Sequence, residues 1–127
     1  MDDEERRARG AANRRAVLGD AYVDRAAASA TPFTAEFQDF ITRYAWGEIW
    51  ERPGLDHETR RLLVIAMTIA LGREGELRLH LRAAFEAGVP VERVKETILQ
   101  SAVYCGVPAA NAAFHVAGEV LRDLGVL

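Results

Sequence analysis

Asp56-His-Glu-Thr-Arg-Arg-Leu-Leu-Val-Ile-Ala-Met-Thr-Ile-Ala-Leu71-Gly72 reads as one helix with defined ends. Asp56 is an N-cap residue, with Thr59 three positions on, and Gly72 stops the helix. Leu62, Leu63, Ala66, Met67, Ala70 and Leu71 recur at three- and four-residue spacing and predict a wide apolar face. The apolar run Leu62–Leu71 carries Thr68 and is about half the length of a membrane span, so it predicts a buried soluble helix.

Downstream the same grammar repeats. Glu74–Ala87 carries Leu77, His80, Leu81, Ala84 and Phe85 on one face before Gly88. Pro90 opens the next helix, striped by Val91, Val94, Ile98 and Ala102. Gly106-Val-Pro108 separates it from a last helix, Ala109 to about Leu124, rich in small residues that allow close helix approach. Upstream, Asp3–Leu18 is a charged surface helix ended by Gly19. Asp20 is placed to cap a short helix through Tyr22, Val23 and Ala26. Ser29-Ala-Thr-Pro32 breaks the pattern, and a further helix starts at Pro32 or Thr34. Phe33, Phe37, Phe40, Ile41 and Tyr44 then fall at helical spacing, followed by Trp46, Trp50 and the turn Arg52-Pro-Gly54. No stretch alternates with period two. The expected fold is all-α, about six or seven helices in one compact domain spanning 1–127, with short connections favouring antiparallel packing.

Composition narrows the function. Sixteen Lys and Arg against 19 Asp and Glu give a net charge of -3, and the basic cluster Arg6, Arg7, Arg9, Arg14 and Arg15 is offset by Asp2, Asp3, Glu4 and Glu5. That argues against nucleic-acid binding. One cysteine, Cys105, forbids an intramolecular disulfide and reads as a small buried residue. With no basic-then-apolar leader, a reducing cytoplasmic setting is expected. No glycine-rich phosphate loop, nucleophile elbow or metal-ligand cluster is present, so neither a metal nor a nucleotide cofactor is expected.

Among the histidines, His57 reads as solvated and His115 as interfacial. His80 points into an apolar face, which suits a satisfied core residue or a tuned acid. Glu76, four residues earlier, can reach it and would favour the charged ring. Arg60 and Arg61, near a helix start, read as surface or acid-paired residues.

Several blocks in fixed order carry a resemblance. They are Tyr44-Ala-Trp-Gly-Glu-Ile-Trp50, Arg52-Pro-Gly-Leu-Asp56, Thr59-Arg-Arg-Leu-Leu63, Ala70-Leu-Gly-Arg73, Glu76-Leu-Arg-Leu-His80-Leu-Arg-Ala-Ala84 and Ala102-Val-Tyr-Cys-Gly-Val-Pro-Ala-Ala-Asn111-Ala-Ala-Phe114. With Arg15-Ala-Val-Leu-Gly19 and Tyr22-Val-Asp-Arg-Ala26 they cover about residues 14–122. Together they resemble the 4-carboxymuconolactone decarboxylases. The resemblance implies an alkyl hydroperoxidase D-like fold, a cofactor-free carboxy-lyase, a homo-oligomer (a hexamer) and a small dicarboxylate lactone as substrate. Hydroperoxidases of that superfamily carry Cys-x-x-Cys before the histidine that His80 matches; here Arg73 and Glu76 occupy the cysteine positions, which favours the decarboxylase branch.

Transferred to this chain, the resemblance implies His80 as proton donor, tuned by Glu76 or Glu48, with Arg60 binding a substrate carboxylate. Trp46 and Trp50 would wall the pocket, and Tyr104 and Asn111 would supply neutral donors. Trp46 and Trp50 read equally as core or interface anchors, and Asn111 as a buried structural amide. The alternatives are a decarboxylase or isomerase of a related lactone or acid, and a non-catalytic helical assembly or binding protein.

Overall fold

The computed structural model describes residues 1–127 and is entirely helical. Seven α-helices run α1 Asp3–Leu18, α2 Asp20–Ala28, α3 Ala35–Ile41, α4 His57–Leu71, α5 Glu74–Glu86, α6 Val91–Cys105 and α7 Val107–Asp123, with a π-helical segment, Thr42–Ile49, continuing α3. The chain divides into two compact units, 1–57 and 58–127.

In the first unit, the Asp2 carboxylate caps α1 by accepting from the Glu5 N–H at 2.8 Å. Acids in the first turn and Arg15 in the last complement the helix dipole. Gly19, at φ +89°, ends α1 and precedes α2 directly. The cap of α2 is therefore Gly19 rather than Asp20, whose carboxylate instead accepts from Arg15 at 3.0 Å.

Helix α1 crosses the π-helical segment at two glycines. A Cβ on Gly10 would lie 2.0 Å from the Thr42 carbonyl oxygen, and one on Gly47 would lie 2.2 Å from that of Arg6. Only backbones without side chains can approach so closely. The charges of α1 are therefore not simply offset by their own acidic neighbours. Arg6 donates to Glu48 at 3.0 Å, Arg7 to Asp39 at 2.7 Å and Arg9 to Glu51 at 3.1 Å. Asn13 Nδ2 donates to both Trp46 O and the Glu51 carboxylate. Arg7 and Arg43 together hold the Asp39 carboxyl below its usual range. The aromatic stripe of α3 faces outward: Phe33, Phe37, Phe40 and Tyr44 are all exposed.

In the second unit, Ile65 and Ile69 of α4, Leu77, Leu81 and Ala84 of α5, Val94 and Ile98 of α6, and Ala110, Ala113, Val116 and Ala117 of α7 form one core. The alanines of α7 are what α5 and α6 pack against. Arg78–Glu119 at 2.8 Å and Arg82–Asp123 at 3.2 Å tie α5 to α7 along the rim.

The buried stripe of α4 is Arg61, Ile65 and Ile69. This corrects the expected face: Leu62 is only partly buried, while Leu63, Met67, Ala70 and Leu71 are exposed. A helix apolar on every side gives periodicity no polar marker from which to fix its phase. Cys105, expected inside, is exposed at the end of α6.

Candidate functional site

Three polar side chains are buried in the second unit: Arg61, His80 and Ser101. Ser101 is accounted for locally, since its hydroxyl donates to Thr97 O at 2.9 Å. The other two sit among the apolar side chains where α4 and α5 join the core.

The sequence places His80 there for a plain reason. It follows Leu77 by three positions and precedes Leu81 and Ala84, all buried on the same face of α5. His80 is 8% exposed, and its Nδ1 is buried without a hydrogen-bond partner. Its Nε2 lies 4.0 Å from the Glu76 carboxylate, which is itself well exposed to water. That is too long for a hydrogen bond.

Burial, and secondarily the charge of Arg61, push the His80 imidazole down to about 4. The expectation that Glu76 would favour a charged ring is thereby reversed. A solvated carboxylate at that distance is outweighed by desolvation and a buried cation. At neutral pH the ring of the free protein is neutral.

The depressed value has a stability consequence. An unfolded chain binds the imidazole proton near pH 6.5, whereas the folded chain binds it only near 4. Stability from this group is therefore fully present above about 6.5 and is lost as pH falls toward 4, by about 3 kcal/mol in total. Urea unfolding at pH 7 and pH 4.5 is expected to show the parent losing about 2–3 kcal/mol more than a His80→Gln protein. Equal losses would mean that the ring is not held neutral in the fold.

Arg61 is a buried polar residue that its sequence context does not single out. It is 5% exposed, and burial lowers its guanidinium below the usual arginine range. The one signal in the sequence is its position, four and eight residues before Ile65 and Ile69. Arg60, a neighbour in sequence, is only partly buried.

The remaining candidates are spread over both units. Tyr104 is exposed and lines a cleft of about 670 Å³ between Leu62, Leu63 and Ala66 of α4 and Arg93 and Ser101 of α6. Asn111 is exposed on α7, which corrects its reading as a buried amide. In the first unit, Trp46 and Trp50 are both buried and stack on each other with ring centroids 5.1 Å apart. His57 is not simply solvated: its Nε2 lies 3.1 Å from Trp50 O, and its ring meets the Trp50 indole edge-on. Glu48 is held by Arg6 and lines a small cleft with Asp3, Phe40, Arg43 and Tyr44. No three His, Cys, Asp or Glu side chains gather as a metal ion would require, and no helix is long and apolar enough to cross a membrane.

Known proteins share this sequence pattern. Residues 35–119 match the model of the carboxymuconolactone decarboxylase family. A 4-carboxymuconolactone decarboxylase of Acinetobacter baylyi is 51% identical over 126 residues, 99% of this chain and 94% of that protein. The nitrosuccinic acid decarboxylase npaB of Metarhizium robertsii is 42% identical over 111 residues, 87% of this chain and 78% of that protein. A 4-carboxymuconolactone decarboxylase sequence of Pseudomonas putida, 50% identical over 48 residues, is matched along its whole length by 38% of this chain.

Proposed function

Because the chain belongs to the carboxymuconolactone decarboxylase family, we propose that it is a carboxy-lyase converting 4-carboxymuconolactone to 3-oxoadipate enol-lactone in protocatechuate catabolism, the β-ketoadipate pathway. The observation that carries this reading is 51% identity over 99% of the chain to a protein of that name.

The chemistry suits the side chains available. The substrate carries two carboxylates, one on the ring carbon vinylogous to the lactone carbonyl. When its C–C bond breaks, CO2 leaves, and the electron pair runs through the C=C onto the carbonyl oxygen. Protonation of the carbon next to that carbonyl completes the reaction. One proton is consumed for each CO2 released. The substrate's own conjugation accepts the electrons, so the protein has to supply a proton and stabilise the developing oxyanion.

His80 is the proton donor in this reading: neutral in the free protein, it takes up a proton when the doubly anionic substrate binds beside it and favours the charged ring, with Glu76 on the same helix as its nearest acid. Arg60 holds the retained carboxylate, where a planar guanidinium can make two parallel hydrogen bonds. Tyr104 and Asn111, both accessible, serve as neutral donors. The protein works as a cytoplasmic homo-oligomer. Supporting association, Met67, Leu71, Val103 and Tyr104 are each more than half exposed in the single chain.

The test is CO2 release from freshly generated 4-carboxymuconolactone by the purified protein, with nitrosuccinic acid run in parallel. Preferential turnover of the lactone is expected. Turnover of nitrosuccinic acid alone would move the assignment to that substrate, and release from neither would end the decarboxylase reading.

A further inference from the structure

Arg78, Arg82 and Arg93 of the second unit are each paired with an acid, Glu119, Asp123 and Glu58 respectively. Arg73, between α4 and α5, is not. Its backbone is fixed: the N–H donates to Thr68 O at 3.0 Å, and the carbonyl accepts from Leu77 N at 2.9 Å. Its side chain is exposed and engages no acid or carbonyl.

Arg73 stands at a pocket of about 230 Å³ where the C-terminal end of α4 meets the N-terminal ends of α5 and α7. The exposed lining residues Arg73, Glu74 and Ala112 lie at its rim, and the buried ones, Ile69, Leu77, Ala113 and Val116, form its depth. Thr68 also lines it, but its hydroxyl is spent on the carbonyls of Val64 and Ile65 at 2.9 Å. The depth therefore offers a carboxylate no free side-chain donor, while the rim offers an unpaired cation.

We infer that Arg73 is a substrate-binding, specificity-determining residue: it holds the retained carboxylate of the lactone at the rim, with the reacting carboxylate facing the apolar depth. The inference rests on the decarboxylase reading and gives the retained carboxylate a cation in addition to Arg60. A pocket of this size is smaller than most ligand sites and suits a single small ring. Binding energy gained at the rim holds the second carboxylate against Ile69, Leu77, Ala113 and Val116. An anion is costly to keep among apolar groups and neutral CO2 is not, so this orientation favours cleavage. The proton donor lies along the same helix. His80 is the next buried residue after Leu77 on the inward face of α5. Arg73 precedes it by seven residues, about two turns and roughly 10 Å along the axis, which returns to the same side of the helix. In the lactone, the carbon to be protonated and the retained carboxylate lie on either side of the carbon that loses CO2. A cation and an acid spaced along one helix therefore suit the two ends of one molecule.

The test crosses variants with substrates, on proteins matched to the parent in helical content and assembly. Each is given the lactone and an analogue whose retained carboxylate is a methyl ester, and kcat/KM is read from CO2 release. The parent is expected to prefer the dicarboxylate by about 10–100-fold, the worth of a charge-assisted pair. Arg73→Met is expected to lose about that much on the dicarboxylate and less than about threefold on the ester, so that most of the preference disappears. Arg73→Lys keeps the charge without the planar fork and is expected in between. Glu74→Gln removes the rim charge that opposes the anion and is expected to lower KM for the dicarboxylate. Ala112→Leu fills the pocket from its exposed side and is expected to raise KM for both substrates by about tenfold or more. Equal losses by Arg73→Met on the two substrates, as a merely structural role would give, overturn the inference and leave the decarboxylase reading intact. So does a raised KM in Glu74→Gln or a parent-like KM in Ala112→Leu. A parent that releases no CO2 from the lactone overturns both.

Discussion

Replacing His80 by Gln is expected to leave the helices folded and to lower turnover of 4-carboxymuconolactone by about 10²–10⁴, the usual contribution of a positioned acid. Glutamine nearly fills the imidazole volume, so Leu77, Leu81 and Ala84 on the same face keep their packing. An amide cannot deliver a proton to carbon, and the dienolate would then have to wait for water in an enclosed site. Circular dichroism and CO2 release, measured on the same preparation, separate folding from chemistry. The substitution also removes the one titratable group enclosed on this face of α5. Glutamine has no proton to gain, so the variant should lose less stability than the parent between pH 7 and pH 5. A folded His80→Gln protein turning over at the parent rate would take the acid role away from this residue.

The largest expected effect on stability comes from the first unit. Gly47→Ala and Gly10→Ala are each expected to cost about 3 kcal/mol or more, at or above the usual range for overpacking. The added methyl would meet a backbone oxygen at 2.2 Å in one case and 2.0 Å in the other. No rotamer change relieves a clash with a carbonyl, so α1 has to move off the π-helical segment. Separation would also strain the Arg6–Glu48 and Arg9–Glu51 pairs and the Asn13 bond to Trp46 O. Gly75→Ala is the control: nothing lies within 4 Å of its Cβ, and alanine is the better helix former there. Urea midpoints should fall for the first two and hold or rise for the third. An unchanged midpoint for Gly47→Ala would show that the crossing tolerates a side chain.

Much of this architecture is legible in the sequence because its punctuation is local. Gly19, Gly72, Gly88 and Gly106, read as stops, all take the left-handed backbone that ends a helix here. The inward face of α5 follows from the spacing of Leu77, His80, Leu81 and Ala84. Other features are set by tertiary partners and leave no local trace. The phase of α4 is hidden because residues 62–71 are apolar nearly throughout, and Arg61 looks like any arginine near a helix start. The glycines at 10 and 47 gain their meaning only from each other's helix. The pairing of Arg6, Arg7 and Arg9 with acids more than thirty residues away is invisible beside the nearer acids at positions 2–5. The charged state expected of His80 fails because spacing shows that Glu76 can reach it, but not that water also reaches Glu76.

The π-helical segment Thr42–Ile49 sets a reading frame for the chain beyond it. Each of its turns takes in one residue more than an α-turn, as in the bond from Trp50 N to Ala45 O at 3.0 Å. Loss of a single residue from this stretch would return the ladder to α spacing and rotate the side chains that follow it, as far as Trp50 where the helix ends, by about 100° relative to α3. Gly47 would leave its place against Arg6, and a residue with a side chain would take it. Length here is therefore as tightly fixed as residue identity: a one-residue deletion should damage the fold more than most substitutions. The exposed turn after α2, around Ala30 and Thr31, has no such frame to keep and should accept insertions.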